Sequence, residues 1–298
     1  MATITQPAFR LEQTVTEEHT AFFHRHGVIQ FKNFISRETV NDFLTEIKSV
    51  ETFLFKNNIR KINGIPLKFG KDTDGSEIIQ RLAFTSQYSQ VLREFLQSER
   101  LRSLTQLLAP YEGRVSENEK DGLVVNHYIN TTESSFTQLG WHTDSPRDLF
   151  LGSRILPMLN VGLHLDDCPM SNGGLRVLAG THNKGLFTLF FKKKYFIDNK
   201  PDVRETGLEI EAGDLTIHDG RIWHRVQQSP HIGELSRRRV MYIPIITGAY
   251  KPKHVNSATP FYHRVAQLKL NPYGSRSKRK DQQRQETGNF VPELNLHA

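Results

Sequence analysis

The chain has 298 residues, of which 37 % are hydrophobic and 24 % charged, so it has enough apolar material for a large core and does not have the composition of a disordered chain. Mean hydropathy is −0.50, no apolar run approaches the roughly 20 residues that a bilayer span needs, and the first residues lack the pattern of a secretory signal. The single cysteine, Cys168, excludes an internal disulfide and a zinc site built from several cysteines. We therefore expect a soluble protein of a reducing compartment, most simply the cytoplasm.

The charge balance is basic, with 39 Lys and Arg against 32 Asp and Glu, a net charge of +7 and a pI near 9.4. The densest basic run is 275–284, and smaller basic clusters lie at 192–194 and 237–239. No nucleic-acid-binding motif accompanies these runs. We expect the tail 275–298 to be partly disordered, and the excess charge indicates either an anionic ligand or no specific partner.

The first third of the chain predicts helices. Residues 16–35 are typical of a helix that ends at Gly27, where a left-handed backbone costs little, and of a short strand after it. Ser36 is a good N-cap for a helix over about 37–50. Two more amphipathic helices follow, the second ending at Ala109-Pro110. Their apolar positions are Val91, Leu92, Phe95 and Leu96 for the first, and Leu101, Leu104, Leu107 and Leu108 for the second.

From about Gly122 the sequence predicts short strands separated by Gly, Pro, Asn and Asp. The predicted strands cover 123–129, 159–165, 175–178, 214–218 and 238–245. Helices confined to the first third and strands afterwards favour a mainly β sandwich or barrel buttressed by N-terminal α-helices. Without an internal repeat or a linker, we expect one domain over 1–274 and a basic tail over 275–298.

Two His-x-Asp triplets could begin a metal site, His142-Thr-Asp144 and His164-Leu-Asp166. Residues i and i+2 of a strand share a face, so either triplet offers an imidazole and a carboxylate side by side. A third ligand from a distant strand would complete a two-histidine, one-carboxylate face, which suits non-haem Fe(II) because the opposite positions stay open. The triplet alone is a weak signal.

The case for a metal site at His142-Thr-Asp144 is strengthened by four segments that follow one another along the chain: 140–146 (GWHTDSP), 172–182 (NGGLRVLAGTH), 212–224 (AGDLTIHDGRIWH) and 237–242 (RRRVMY). With them the chain resembles the phytanoyl-CoA dioxygenase-like family of Fe(II)- and 2-oxoglutarate-dependent oxygenases, from the N-terminal helix to about residue 250. The resemblance implies a double-stranded β-helix, that is, a cupin-like jelly-roll barrel.

The resemblance also implies the iron ligands His142, Asp144 and His224. It places His164 and Asp166 on a strand where the family has pocket-lining residues. His218 competes with His224 as the distal histidine, but it follows the Gly-Asp turn too closely, whereas His224 has the family's position.

The distal carboxylate of 2-oxoglutarate needs a buried cation, and arginine binds a carboxylate through two hydrogen bonds where lysine cannot. Relatives carry this arginine on the strand after the distal histidine, which favours Arg238. Because one step in register would exchange them, Arg237 and Arg239 remain alternatives. Asn126 lies where relatives contact the cosubstrate, although a plain strand residue is an equally open interpretation.

The implied reaction consumes O2 and converts 2-oxoglutarate to succinate and CO2 while an unactivated C–H bond of a small molecule is hydroxylated or desaturated, with ascorbate as a candidate reductant. Asp144 stands where related halogenases have a small residue, so we expect a hydroxylase and not a halogenase. Arg147, Arg154 and Arg176 flank the motifs and are expected to be surface charges, with an anionic substrate as the alternative.

Two other functions stay open. One is a catalytically silent jelly-roll that binds a ligand or a partner in the same cavity. The other is a dioxygenase acting on nucleic acid, which the basic charge suggests and which no motif supports. The sequence does not identify the substrate.

Overall fold

The computed structural model describes residues 7–134, 136–145 and 155–260. Four helices lie in the first third of the chain, with strands between some of them: α1 Glu17–His26, α2 Arg37–Lys56, α3 Gln90–Gln97 and α4 Glu99–Ser103. As predicted, α1 ends at Gly27 with φ 74°, and the Ser36 hydroxyl caps α2 by accepting from the Thr39 amide. None of the helices in the described ranges is both long and apolar enough to cross a membrane.

The strands of the described residues are β1 Val28–Phe31, β2 Lys61–Ile62, β3 Ile65–Pro66, β4 Lys68–Lys71, β5 Glu77–Leu82, β6 Arg114–Val115, β7 Val124–Asn130, β8 Leu139–His142, β9 Met158–His164, β10 Gly174–Leu178, β11 Thr206–Gly207, β12 Leu215–Asp219, β13 Trp223–Gln227 and β14 Gly233–Ile246. Most of them form a large and a small antiparallel sheet. The large sheet has the order β1-β12-β9-β14-β7-β5-β4, with β6 paired to β14, and the small sheet has the order β11-β10-β13-β8. Strands β2 and β3 form a separate two-stranded sheet. This antiparallel, mainly β arrangement is the predicted jelly-roll.

Strand β9 shows how the sheet separates the core from the barrel interior. Val161 and Leu163 are fully buried in the main hydrophobic cluster, together with apolar residues of α2 and α3. Gly162 faces the other way, because a Cβ built on it would meet Thr216, Tyr242 and Val240. The period-2 alternation of the strand thus places the helices outside the large sheet and polar residues inside the barrel.

The structure corrects three predicted elements. Helix α2 runs six residues beyond the predicted end, and the predicted helix over 101–108 is α4 followed by a 3-10 turn over Leu104–Leu108. A further short helix, Gly185–Phe191, lies outside the first third. The domain limits stay a prediction, since the tail 275–298 lies outside the described residues.

Gly213 is expected to tolerate no side chain. Its φ is +95°, and a Cβ there would lie 2.3 Å from the backbone oxygen of Ile35, whose amide donates to the Gly213 carbonyl. Gly75 has φ +81° but open space around the same position, so Gly75→Ala should cost only the conformational term, about 1 kcal/mol. Gly213→Ala should cost about 2 kcal/mol or more in the free energy of unfolding. Equal urea midpoints for the two variants would contradict this expectation.

Candidate metal centre

Two neighbouring strands and one turn bring the predicted triad together. His142 ends β8 and lies directly opposite His224 of β13 in the antiparallel register. Asp144 follows two residues after β8, where its amide donates to the Gly220 carbonyl at 2.8 Å and the Ser145 amide donates to the same oxygen at 2.9 Å. The turn between β12 and β13 therefore holds the backbone of the carboxylate residue.

The three side chains point their donor atoms at one another. The distance from His142 Nε2 to Asp144 Oδ1 is 3.8 Å, and the distance from His224 Nε2 to Asp144 Oδ2 is also 3.8 Å. One donor atom of each residue lies within 4.8 Å of the others. Both histidines are buried, whereas 22 % of the Asp144 side chain remains exposed, so the site has an open side.

Backbone carbonyls fix the tautomer of both histidines. His142 Nδ1 lies 2.8 Å from the Gly140 oxygen, and His224 Nδ1 lies 3.1 Å from the Ile222 oxygen. Because a carbonyl oxygen only accepts, each Nδ1 carries the hydrogen and each Nε2 keeps its lone pair. Both lone pairs are then free to bind a metal.

The charge states also suit a metal. Burial lowers the pKa of His142, with Asp144 opposing the effect, and burial together with the neighbouring imidazoles lowers the pKa of His224 well below its ordinary value. Burial alone would raise the pKa of Asp144, but His224, His218 and His142 hold it well below its usual range. Two neutral imidazoles and one carboxylate anion are the protonation states that metal ligands require.

Two more side chains reach Asp144. Asn160 donates from Nδ2 to Asp144 Oδ2 at 3.1 Å, and His218 Nε2 lies 3.4 Å from the same oxygen. The His218 ring also packs against His224, with 4.3 Å between ring centroids. From the sequence, we considered His218 only as an alternative to His224 for the distal metal ligand. Its position beside the carboxylate of Asp144 was not predicted.

In the other triplet, the side chains of His164 and Asp166 bind different partners. His164 Nε2 lies 3.0 Å from the Thr216 hydroxyl inside the barrel, whereas both carboxylate oxygens of Asp166 accept from the guanidinium of Arg239 at 2.6 and 2.9 Å. The two side chains therefore take part in separate interactions.

Arg238 is the member of the arginine run that lies inside the barrel. It is 6 % exposed, its guanidinium lies 5.6 Å from the centroid of the Tyr128 ring, and Nη1 and Nη2 donate to the backbone oxygens of Gln227 and Thr137. Its Nε has no acceptor, and among the described residues no carboxylate lies within 4.0 Å of it. Within the described part of the chain, Arg238 is thus a buried cation without a carboxylate partner.

The two neighbouring arginines already have carboxylate partners. Arg237 binds Asp72 and Glu234, and it donates to His127 Nε2 at 2.7 Å. Arg239 binds Asp166 as described above. Strand alternation therefore separates Arg238 from both, as the sequence predicted.

Asn126 lies on the same inner face as Arg238. Its Nδ2 donates to the Tyr128 hydroxyl at 3.2 Å, and its buried Oδ1 has no partner. Burial raises the pKa of Tyr128 to about 12, against the opposing effects of Arg238 and Asn126, so the phenol stays protonated. Asn126 thus lies on the inner face of β7, bonded to the phenol that packs against Arg238.

Some residues in or near the site were not predicted from the sequence to lie there. The Phe196 ring stacks on His142 with 4.7 Å between centroids, and the Tyr195 hydroxyl lies 2.6 Å from the Thr143 hydroxyl. Arg176, expected at the surface, is instead buried, where it donates to Gln227 and to the Met170 carbonyl. The other two flanking arginines, Arg147 and Arg154, lie outside the described residues.

The residues fit an iron and 2-oxoglutarate site. Several buried polar atoms lack a hydrogen-bond partner among the described residues: His218 Nδ1 and Nε2 beside the triad, Asn126 Oδ1 on the inner face of β7, and Arg238 Nε on the inner face of β14. The Tyr128 ring lies beside Arg238, with 5.6 Å between its centroid and the guanidinium carbon. The described interior thus offers a metal-ligand set and a buried arginine that is available to a carboxylate.

Solved structures share this fold at low sequence identity. The epimerase SnoN in complex with Fe3+, alpha-ketoglutarate and nogalamycin RO is 16 % identical, with a TM-score of 0.56 over 79 % of this chain and 86 % of that one. The carbocyclase SnoK from nogalamycin biosynthesis is 16 % identical, with a TM-score of 0.55 over 81 % and 88 %. HygX from Streptomyces hygroscopicus, with nickel and 2-oxoglutarate bound, is 14 % identical, with a TM-score of 0.54 over 80 % and 89 %.

The sequence comparison is more specific. No curated protein matches the chain. The profile of the family described as phytanoyl-CoA dioxygenase matches residues 23–231, which is more than half of the chain and includes the whole triad. The protein therefore belongs to the phytanoyl-CoA dioxygenase family of iron(II)- and 2-oxoglutarate-dependent oxygenases.

Proposed function

We propose that the protein hydroxylates or desaturates an unactivated C–H bond of a small molecule, with release of succinate and CO2. His142, Asp144 and His224 would hold Fe(II), and Arg238 would bind the distal carboxylate of 2-oxoglutarate. The observation that carries the proposal is the convergence of two free Nε2 lone pairs and one ionised carboxylate on one point, with an open side at Asp144.

The protein positions the three proposed metal ligands and keeps them in the protonation states that bind a metal. The Gly140 and Ile222 carbonyls hold both imidazoles in the tautomer that binds metal, and the turn at Gly220 holds Asp144. When bound, iron and 2-oxoglutarate supply the activation of O2 that an inert C–H bond requires. The barrel walls limit the access of water, which protects a reactive site from side reactions.

Arg238 and its neighbours would orient the cosubstrate. A dicarboxylate that reaches from the metal toward Arg238 would give Nε the acceptor that it lacks. The Tyr128 ring packs against the Arg238 guanidinium, and its hydroxyl accepts from the Asn126 amide. We propose that Asn126 supports the cosubstrate through its unpartnered Oδ1 or through the Tyr128 hydroxyl.

The carboxylate of Asp144 favours hydroxylation or desaturation over halogenation, because it takes the coordination position that a halide would need. Two of the structurally similar enzymes are described as an epimerase and a carbocyclase. Product analysis should therefore include isomers and cyclised products as well as hydroxylated and desaturated ones.

A basic cavity near the site supports an anionic substrate. It has a volume of about 770 Å³, and four lysines, Lys192, Lys193, Lys194 and Lys200, contribute to its lining. Lys193 pairs with Asp202 at 2.9 Å, and Asp198 is an acidic residue of the lining. Tyr195 connects the lining to Thr143, which lies between two of the proposed iron ligands.

The proposed function predicts Fe(II)-dependent turnover of 2-oxoglutarate. The purified protein with Fe(II), O2 and ascorbate should form succinate slowly without a prime substrate, and faster with the correct one. The measurement is a succinate-release screen over amino acids, acyl thioesters and secondary metabolites, with each positive reaction analysed by mass spectrometry. Absence of succinate from iron-loaded, folded protein would favour a catalytically silent jelly-roll.

The anionic substrate class has its own test. In matched pairs of acid and amide, or phosphate and alcohol, we expect the anionic member to stimulate succinate release at least tenfold more than the neutral one. Replacing Lys192, Lys194 and Lys200 with Gln should remove this preference, because the cavity lining then loses three positive charges. Equal stimulation by both members of each pair would refute the anionic class.

A further inference from the structure

His218 is a buried polar side chain that the three-ligand site does not use. It is 1 % exposed, lies on β12 opposite Asn160 of β9, and has no hydrogen-bond partner at either ring nitrogen among residues 7–134, 136–145 and 155–260. A buried polar group without a partner destabilises a fold, so such groups in native proteins call for a functional reason. Its Nε2 lies 3.4 Å from Oδ2 of Asp144.

The carboxylate of Asp144 needs such a donor if iron and 2-oxoglutarate bind as proposed. A metal held by His142, Asp144 and His224 would need its remaining positions open for the cosubstrate and O2. A carboxylate that bound such a metal through both oxygens would occupy one of these positions. Hydrogen-bond donors on one oxygen of Asp144 would keep it open.

The geometry identifies that oxygen. Oδ1 of Asp144 lies 3.8 Å from His142 Nε2, and Oδ2 lies 3.8 Å from His224 Nε2, so both oxygens face a ligand histidine. What distinguishes Oδ2 is that it accepts from Asn160 Nδ2 at 3.1 Å and has His218 Nε2 at 3.4 Å. Two donors on Oδ2 leave Oδ1 as the ligand atom. The backbone of Asp144 is already fixed by Gly220, two residues beyond His218 on the chain.

We propose that His218 is a positioning residue that, once a metal is bound at the triad, donates from Nε2 to Oδ2 of Asp144 and, with Asn160, keeps this carboxylate bound to the metal through one oxygen only. The inference rests on the proposed function, because it needs a metal at the triad. It predicts that His218 reduces the stability of the metal-free protein and increases its metal affinity.

The test compares His218→Leu, which has a similar size and no donor, with His218→Gln, whose Nε2 can donate from nearly the same place. Cobalt(II) titration of the metal-free protein, followed by its visible absorption, measures affinity and coordination geometry without turnover. We expect His218→Leu to weaken cobalt binding by about 10–100-fold and to change the spectrum. His218→Gln should stay within about threefold of the unmodified protein and keep its spectrum.

The thermal midpoint of the metal-free variants separates positioning from packing. His218→Leu removes two unpartnered buried nitrogens, so its midpoint should equal or exceed that of the unmodified protein. Proton NMR of the cobalt protein counts the bound imidazoles, because each one with a hydrogen on Nδ1 gives a shifted, exchangeable signal. We expect two signals, from His142 and His224.

Three outcomes would overturn the proposal: equal cobalt affinity for His218→Leu and the unmodified protein, equal losses for His218→Leu and His218→Gln, or a third shifted imidazole signal that makes His218 a direct ligand. His142→Ala separates this proposal from the proposed function. If the unmodified protein binds cobalt and His142→Ala does not, the site stands whatever His218 does. If the unmodified protein binds no cobalt, both proposals fail.

Discussion

Replacing His224 with alanine is expected to abolish Fe(II)-dependent succinate formation, the largest effect that the structure predicts for one substitution. The variant leaves one imidazole and one carboxylate, and two ligands do not hold an exchangeable divalent ion at micromolar concentrations. Fe(II) affinity should fall by more than the roughly 10–100-fold that follows the loss of a residue that only supports a ligand. Iron titration under anaerobic conditions and succinate release measure the two effects separately.

His127→Ala is the matched control. This histidine is also buried in a barrel strand, but it lies on the outer face, where Arg237 donates to its Nε2. Its loss should lower the thermal midpoint and leave iron affinity and succinate release per folded molecule unchanged. Full succinate release by His224→Ala, with its thermal midpoint preserved, would refute the assignment of His224 as a ligand.

Strands β7, β9, β10, β12 and β14 were predicted because each contains a run of apolar residues bounded by turn residues, whereas β13, which carries His224, was not among the predicted strands. Strand β9 alternates Asn160, Gly162 and His164 inward with Val161 and Leu163 outward, and this pattern follows from the two faces having different surroundings. Strands β4 and β5, within 68–82, were not predicted. Every residue of β4 is only partly buried, so an edge strand of this kind has no apolar face to give a period.

The parts of the site that depend on residues close together in the chain could be predicted from the sequence. His142 and Asp144 lie two residues apart, and alternation separates Arg238 from its neighbours, so both features could be read from the sequence. Which histidine of β12 or β13 faces the carboxylate depends on the turn at Gly220 and on the pairing of β13 with β8. From the sequence, only the family resemblance could choose between His218 and His224 as the distal ligand. No signal in the sequence indicated that His218 would also lie beside Asp144 with no hydrogen bond to its ring nitrogens among the described residues.

Arg238→Met is expected to raise the KM for 2-oxoglutarate by about 100-fold and to lower kcat much less. Methionine keeps most of the side-chain volume but removes the cation, and a charge-assisted pair of hydrogen bonds contributes about 3 kcal/mol, which corresponds to that factor. Arg238→Lys should recover only part of the loss, because an ammonium group cannot form two parallel hydrogen bonds. Steady-state succinate formation over a range of 2-oxoglutarate concentrations measures both constants.

Arg239→Met is the matched control for Arg238→Met. It removes the same charge one residue away, on the opposite face, where the partner is Asp166 and not the barrel interior. This variant should be less stable, because Asp166 loses its bidentate partner, while its KM for 2-oxoglutarate stays near that of the unmodified protein. If Arg239→Met raised this KM and Arg238→Met did not, the cosubstrate would bind on the other face of β14, and the interior path from the triad past Tyr128 would have no role in binding it.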